Sequence, residues 1–136
     1  MTVLTVLDEA RTALLADNEP GGATVYTALL VAARLASHAA AETADRDVAA
    51  AWDFCALSLH EALAELPAAH RDTVALTVNY DELHNIDADA LANRLAALVD
   101  QLSVIFTHAG SDVHQQVAQR WMSVAARLEN AAAEMP

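Results

Sequence analysis

The chain has 136 residues, with 7 basic and 19 acidic side chains, a formal net charge of -12 and a single cysteine. All seven basic residues are arginine, and the absence of lysine excludes a Walker A loop, a Schiff-base lysine and a kinase-type phosphate lysine. The acidic balance also argues against direct binding to nucleic acid, because clustered cations hold the phosphates in such complexes.

Residue usage at the start of the chain and in its most apolar stretch bears on the cellular compartment. One cysteine forms no internal disulfide, and the first residues lack the basic flank and the small-residue cleavage site of a signal peptide. The stretch most similar to a membrane span, residues 21–41, contains Arg34 and His38 and is dominated by alanine, which suits a spanning helix poorly. We therefore expect a cytoplasmic protein with no membrane partner, folded as a single helical domain over residues 1–136.

The composition favours helix along nearly the whole chain. Alanine supplies 33 of the 136 residues, while glycine and proline occur at only a few positions. Turn signals at 17–22, 45–47, 66–67, 80–87 and 110–112 divide the chain into helix-sized segments. The predicted fold is all-α: a mostly antiparallel helical bundle of four to five main helices plus one short helix.

The first two predicted helices differ in how much of their surface is apolar. The first, at about residues 3–16, has one apolar face, whereas the second, at about 24–43, is apolar around most of its circumference. Such a helix must be covered on more than one side, either centrally in the fold or by a second chain. The leading interpretation is a second copy of the chain, and the interface candidates are Ala28, Leu30, Val31, Ala32, Ala36 and Ala40.

The third predicted helix and the segment after it have contrasting patterns. The helix predicted at about residues 47–66 has a regular apolar stripe that includes Trp52 and Cys55, which we interpret as core residues. Pro67 ends this helix, because the residue before a proline disfavours the helical conformation. Residues 68–79 have a weak period and several β-branched side chains, which predict a short helix or an irregular crossover, and we favour the short helix.

The last two predicted helices form a hairpin. One starts after Asp87 or Asp89 and is closed by Gly110, and the other starts at Ser111 or Asp112 and includes Trp121 in its apolar stripe. The very short connection predicts an antiparallel pair. Residues 80–87, which precede the hairpin, are predicted to be a loop.

Six histidines invite a metal hypothesis, because helical bundles can hold metals between His and carboxylate side chains on facing helices. No glutamate has a histidine three residues later, so the Glu-x-x-His pattern of di-iron bundles is absent. The weak candidates for metal ligands are His38, Glu42, His60 and His84, and His38 and Glu42 have helical spacing. This pattern is too sparse to predict a metal, and we expect no cofactor.

Three classes of function fit these observations. The leading hypothesis is a small acidic, non-enzymatic protein-interaction or regulatory protein that self-associates, with a homodimer favoured. The first alternative is an acidic antagonist of a basic protein partner, such as an antitoxin, an immunity protein or a nucleic-acid mimic. Its candidate partner contacts are Asp81, Glu82, Asp87 and Asp89. The second alternative is a metal-dependent helical enzyme that uses some of the four candidate ligands.

Overall fold

A computed structural model of the chain describes residues 2–66, 78–111 and 115–136. The described residues form five α-helices and one 3₁₀ helix, with no strand. In chain order these are α1 (Val3–Ala16), α2 (Ala23–Glu42), α3 (Arg46–Glu65), the 3₁₀ helix (Tyr80–Asn85), α4 (Ala88–Ser111) and α5 (Gln115–Glu134). The prediction of an all-α bundle is confirmed.

The predicted boundaries hold closely for the first three helices and differ in two places further on. The segment predicted as a loop at 80–87 contains the 3₁₀ helix, which begins where the Asn79 side chain accepts a hydrogen bond of 3.1 Å from the backbone N–H of Asp81. Helix α4 also continues through Gly110 to Ser111, because this glycine does not adopt the left-handed conformation that ends many helices. The short helix predicted at 68–79 falls almost wholly outside the described residues.

Short polar side chains fix the starts of three helices. Thr2 accepts a hydrogen bond from the backbone of Thr5, and Asp45 accepts from the N–H groups of both Asp47 and Val48. Asp87 caps α4 in the same manner. Each cap satisfies backbone donors that have no partner within the helix, and such a cap typically contributes about 1 kcal/mol.

Helices α2, α3, α5 and α4 form the main bundle, in which sequential neighbours run antiparallel. Along α3 and α5, Ser58 bonds to Glu134 while Glu65, two turns later in α3, bonds to Ser123, which lies three turns earlier in α5. In the hairpin of α4 and α5, the rings of Phe106 and Trp121 lie 5.4 Å apart. The predicted antiparallel arrangement of this hairpin is confirmed.

Helix α1 lies outside this four-helix arrangement and runs parallel to α4. Asp8 pairs with Arg94, and one turn further along α1 the carbonyl of Arg11 accepts a hydrogen bond of 3.1 Å from Gln101. Its contact with α4 is much smaller than the α2–α3, α3–α5 and α4–α5 contacts, although it is larger than the contact between α2 and α4. The buried face of α1 nevertheless joins the common core, and one side of α1 remains free.

One contiguous apolar core connects all five helices. Its largest fully buried side chains are Phe106 and leucines from α1, α2, α3, α4 and α5. Trp52 and Trp121 are 3% and 6% exposed, so the prediction that both are core residues is confirmed.

Helix α4 is the one described helix that could cross a membrane by length and composition, with a mean hydropathy of 1.2. The sequence had singled out residues 21–41 instead. A core helix meets the same criterion, and the apolar face of α4 packs against α5, α2 and α1.

Truncating a buried and an exposed aromatic side chain should distinguish their contributions to the free energy of unfolding. We expect Phe106→Ala to lower the free energy of unfolding by about 3–5 kcal/mol, because the cavity is surrounded by packed side chains. The matched control Phe54→Ala removes a side chain that is 59% exposed and should change it by less than about 0.5 kcal/mol. Urea denaturation measures both, and equal losses would contradict the assignment of the core.

Gly110 marks a close approach of α4 to α5. A Cβ at this position would lie 2.7 Å from the Met122 side chain and 3.3 Å from the carbonyl oxygen of Ala118. We expect the effect of Gly110→Ala on the free energy of unfolding to be less favourable in the wild-type background than in a Met122→Ala background. The coupling between the two substitutions should be about 1 kcal/mol. A double-mutant cycle by denaturation measures this coupling, and strict additivity would show that the approach is not close.

Candidate functional site

The alanine face of α2 lies inside the fold. Of the six interface candidates, five are buried, with exposures of 2% for Ala28, 6% for Val31, 0% for Ala32 and Ala36, and 8% for Ala40. Leu30 is partly buried and packs against the core. Small side chains let α3, α4 and α1 approach this helix closely, so the chain covers it without a second copy. The assignment of these residues to an interface between copies is therefore corrected.

Three of the four metal-ligand candidates meet where the 3₁₀ helix contacts the end of α2. The Nδ1 atom of His84 lies 2.8 Å from Oε2 of Glu42, and the His38 ring stacks on Tyr80 with centroids 4.0 Å apart. His60 lies elsewhere, with its Nε2 atom 3.3 Å from the hydroxyl of Ser37. Within the described ranges, no three His, Cys, Asp or Glu side chains are grouped so that they could hold a metal ion.

Two of the four acidic partner-contact candidates are engaged in holding helix starts. Oε2 of Glu82 accepts a hydrogen bond of 2.9 Å from the backbone N–H of Val3, and Asp87 caps α4. The side chains of Asp81 and Asp89 are exposed. Helix capping therefore accounts for half of this acidic group.

A polar ladder joins α3 to α5 along their contact. Oε1 of Glu65 accepts hydrogen bonds of 2.7 Å from Arg127 and 2.9 Å from Ser123. The hydrogen bond and the negative charge of Glu65 raise the pKa of Arg127, and Glu61 adds to this effect. The ladder links two helices of the main bundle, so we interpret it as structural.

Cys55 is fully buried at 0% exposure, as the apolar stripe predicted. Burial raises the pKa of its thiol to about 12, and the negative charge of Glu134 adds to the shift. The thiolate is the reactive form of cysteine. Cys55 is therefore unsuited to act as a nucleophile.

The buried thiol makes stability depend on pH in alkaline solution. In the unfolded chain the thiol loses its proton near its ordinary pKa of 9.0, whereas the folded chain retains it to about pH 12. Between these values the unfolded chain binds fewer protons, so the free energy of unfolding falls as pH rises. Cys55→Ala lacks this contribution. We expect its free energy of unfolding to decline less steeply than that of the wild type between about pH 9 and pH 11.

Denaturation at several pH values measures the two slopes. The comparison isolates the thiol, because the two proteins share every other side chain. Parallel slopes would show that the Cys55 thiol is accessible to water in the folded chain.

An open groove of about 730 Å³ lies between the parallel helices α1 and α4. We call it the α1–α4 groove, and its lining residues are Asp8, Arg11, Thr12, Leu15, Ala97, Asp100, Gln101 and Val104. Two large apolar side chains lie exposed in it, with 79% of Leu15 and 54% of Val104 accessible to solvent.

The charges in the α1–α4 groove are balanced but incompletely paired. Asp8 pairs with Arg94, whereas neither Arg11 nor Asp100 forms an ion pair with any other described residue. Both side chains are exposed. Among the residues that the structure describes, Arg11 and Asp100 are therefore a cation and an anion without an ion-pair partner, and they lie beside exposed apolar surface.

This groove was not predicted from the sequence. Its signal was present, because Leu15 and Val104 fall outside the apolar stripes of their helices. An apolar residue off the stripe is common at protein surfaces, and only the parallel placement of α1 and α4 brings these two together.

No family model matches the chain, and no match is found among curated proteins or solved structures.

Proposed function

We propose that the protein is a non-enzymatic protein-interaction or regulatory protein that forms a homodimer through the α1–α4 groove. The observation that carries this proposal is the pairing of exposed Leu15 and Val104 with the unpaired opposite charges of Arg11 and Asp100. This surface replaces the alanine face of α2 as the site of self-association.

A twofold axis that runs along the groove, parallel to its two helices, would bring each of these charges opposite its counterpart in the partner. Arg11 and Asp100 lie at the same level of their parallel helices, because the residue after Asp100, Gln101, donates a hydrogen bond to the Arg11 carbonyl. In a twofold arrangement the same surface of each copy meets itself. Arg11 of one copy then faces Asp100 of the partner, and the pair occurs twice.

The apolar residues of the groove supply the burial that such a contact needs. Leu15 follows Arg11 by one helical turn, and Val104 follows Asp100 by one turn, so the two side chains form an apolar row beside the charged row. Ala97 adds a small side chain that lets a partner helix approach. Burying apolar surface contributes about 25 cal/mol per Å² to association, and the charge pairs fix the orientation.

Net charge is the main opposing factor. Each copy has a formal charge of -12, and like charges repel when two copies approach. The groove is suited to contact because its local charge is nearly zero, with Asp8 matched by Arg94 and Arg11 balanced by Asp100. The excess negative charge is distributed over the rest of the surface, where salt screens it over about 10 Å.

A charge-swap series tests the dimer and its geometry together. We expect the wild type to be a dimer by native mass spectrometry and light scattering, and Arg11→Asp and Asp100→Arg each to weaken dimerisation at least about tenfold, because each places like charges opposite one another. Mixing the two variants should give a heterodimer, in which both contacts join opposite charges. The double variant should dimerise again.

Two control substitutions distinguish the loss of the proposed charge pair from a change in net charge alone. Arg46→Asp and Asp53→Arg change exposed residues of α3 by the same charge and should leave the dimer intact. A wild type that remains monomeric at high concentration overturns the proposed homodimer. A dimer that is insensitive to both single substitutions places the interface elsewhere.

A further inference from the structure

A second cavity, of about 240 Å³, lies where the ends of four elements meet. Helices α2 and α3, the 3₁₀ helix and the start of α4 surround it, and we call it the end cavity. Its lining residues are Ala39, Glu42, Thr43, Trp52, Leu83, Ile86, Ala88 and Leu91. None of these residues lines the α1–α4 groove, so the end cavity is a separate feature of the surface.

The wall of the end cavity is apolar and aromatic. Trp52, Leu83 and Leu91 are 3%, 7% and 3% exposed, and they are held in place by the core behind them. An apolar cavity of about 150 Å³ is large enough to hold a benzene molecule. The end cavity therefore has room for one aromatic ring, or an alkyl group of similar size, with a short substituent.

The charge at the end cavity is negative. Glu42 is the one charged residue among those that line it. The Nδ1 atom of His84 lies 2.8 Å from Oε2 of Glu42, while Oε1 accepts no hydrogen bond from any residue that the structure describes. Asp87 adds a carboxylate between Ile86 and Ala88 in the chain.

An anionic ligand is disfavoured at the same place. The start of α4 would attract an anion through its free backbone N–H groups. Asp87 already accepts hydrogen bonds from the N–H groups of Asp89 and Ala90, at 2.9 and 3.3 Å. The end cavity thus combines an apolar wall with a carboxylate that retains an open acceptor.

We propose that the end cavity binds a small primary amine with an aromatic or short alkyl body. The apolar body lies against Trp52 and the leucines, and the ammonium group donates a hydrogen bond to Glu42. A few polar groups that fix orientation within a largely apolar wall are typical of small-molecule sites. A charge-assisted hydrogen bond to a carboxylate is stronger than a neutral one, so the charge of the ligand determines selectivity.

Three probes that share a phenylethyl body test the proposal on the full chain. They are 2-phenylethylamine, the neutral 2-phenylethanol and the anionic 3-phenylpropanoate, titrated by calorimetry. We expect the amine to bind about tenfold more tightly than the alcohol, which corresponds to one charge-assisted hydrogen bond, and the anion to bind most weakly. Equal affinities for all three, or no binding up to about 10 mM, would overturn the proposal.

Fluorescence of Trp52 locates the site. In a Trp121→Phe background, Trp52 is the remaining tryptophan, and its emission should change saturably with the amine at the affinity that calorimetry gives for the wild type. Binding without a change in Trp52 emission would place the ligand elsewhere.

Two substitutions separate charge from shape. Glu42→Gln keeps the size of the side chain, and we expect it to abolish the preference for the amine while leaving the affinity for the alcohol unchanged. Ala88→Leu fills the end cavity from an exposed position and should weaken both probes about tenfold or more. The control Ala90→Leu lies on the same helix but outside the cavity lining and should weaken neither. A preference that survives Glu42→Gln would contradict the assigned role of Glu42.

Discussion

The fold depends on how closely helices can pack around α2. Alanines at every fourth position from Ala28 to Ala40 leave a surface without large side chains, and Ala32 and Ala36 are fully buried. Neighbouring helices can therefore approach from several sides, and they contribute most of the large core residues, with Phe106 the largest, while α2 adds Leu29 and Leu35. This arrangement explains how a chain with only 4% aromatic residues encloses one continuous core.

The same packing determines what remains exposed. Helices α3, α4 and α5 direct their apolar stripes towards the centre of the main bundle, so α1 can cover only part of the outside of α4. Its position depends on a narrow contact, with the Asp8–Arg94 pair and the Gln101 hydrogen bond among its few polar links. A side of each helix stays open, and Leu15 and Val104 are exposed there for that reason. The groove thus lies where the limited α1–α4 contact leaves the outer sides of both helices uncovered.

The periodicity of the sequence was sufficient for the helices and their core faces, because residues three and four apart share a face in any helix. It identified the stripe containing Trp52 and Cys55, and helix boundaries for α1 to α3 within one residue. Periodicity could not show what covers an apolar helix. The same apolar pattern is expected whether the helix packs against a neighbour in its own chain or against a second copy. The meeting of His38, Glu42 and His84 near Tyr80 also required the three-dimensional structure, because the 3₁₀ helix reaches α2 only through the path of the intervening chain.

The arginines show where this acidic chain uses positive charge. The chain has 7 arginines and 19 acidic side chains. An arginine near a carboxylate reduces the repulsion among the negative charges of the folded chain, and its guanidinium group offers several hydrogen-bond donors at once. Arg94 joins α1 to α4, and Arg127 joins α3 to α5, so both bridge helices that are not consecutive in the chain. Arg11 faces the α1–α4 groove without such a bridge among the described residues. In the proposed dimer, Arg11 of one copy would meet Asp100 of the other beside the exposed leucine and valine, so the groove would be complementary to a second copy of itself.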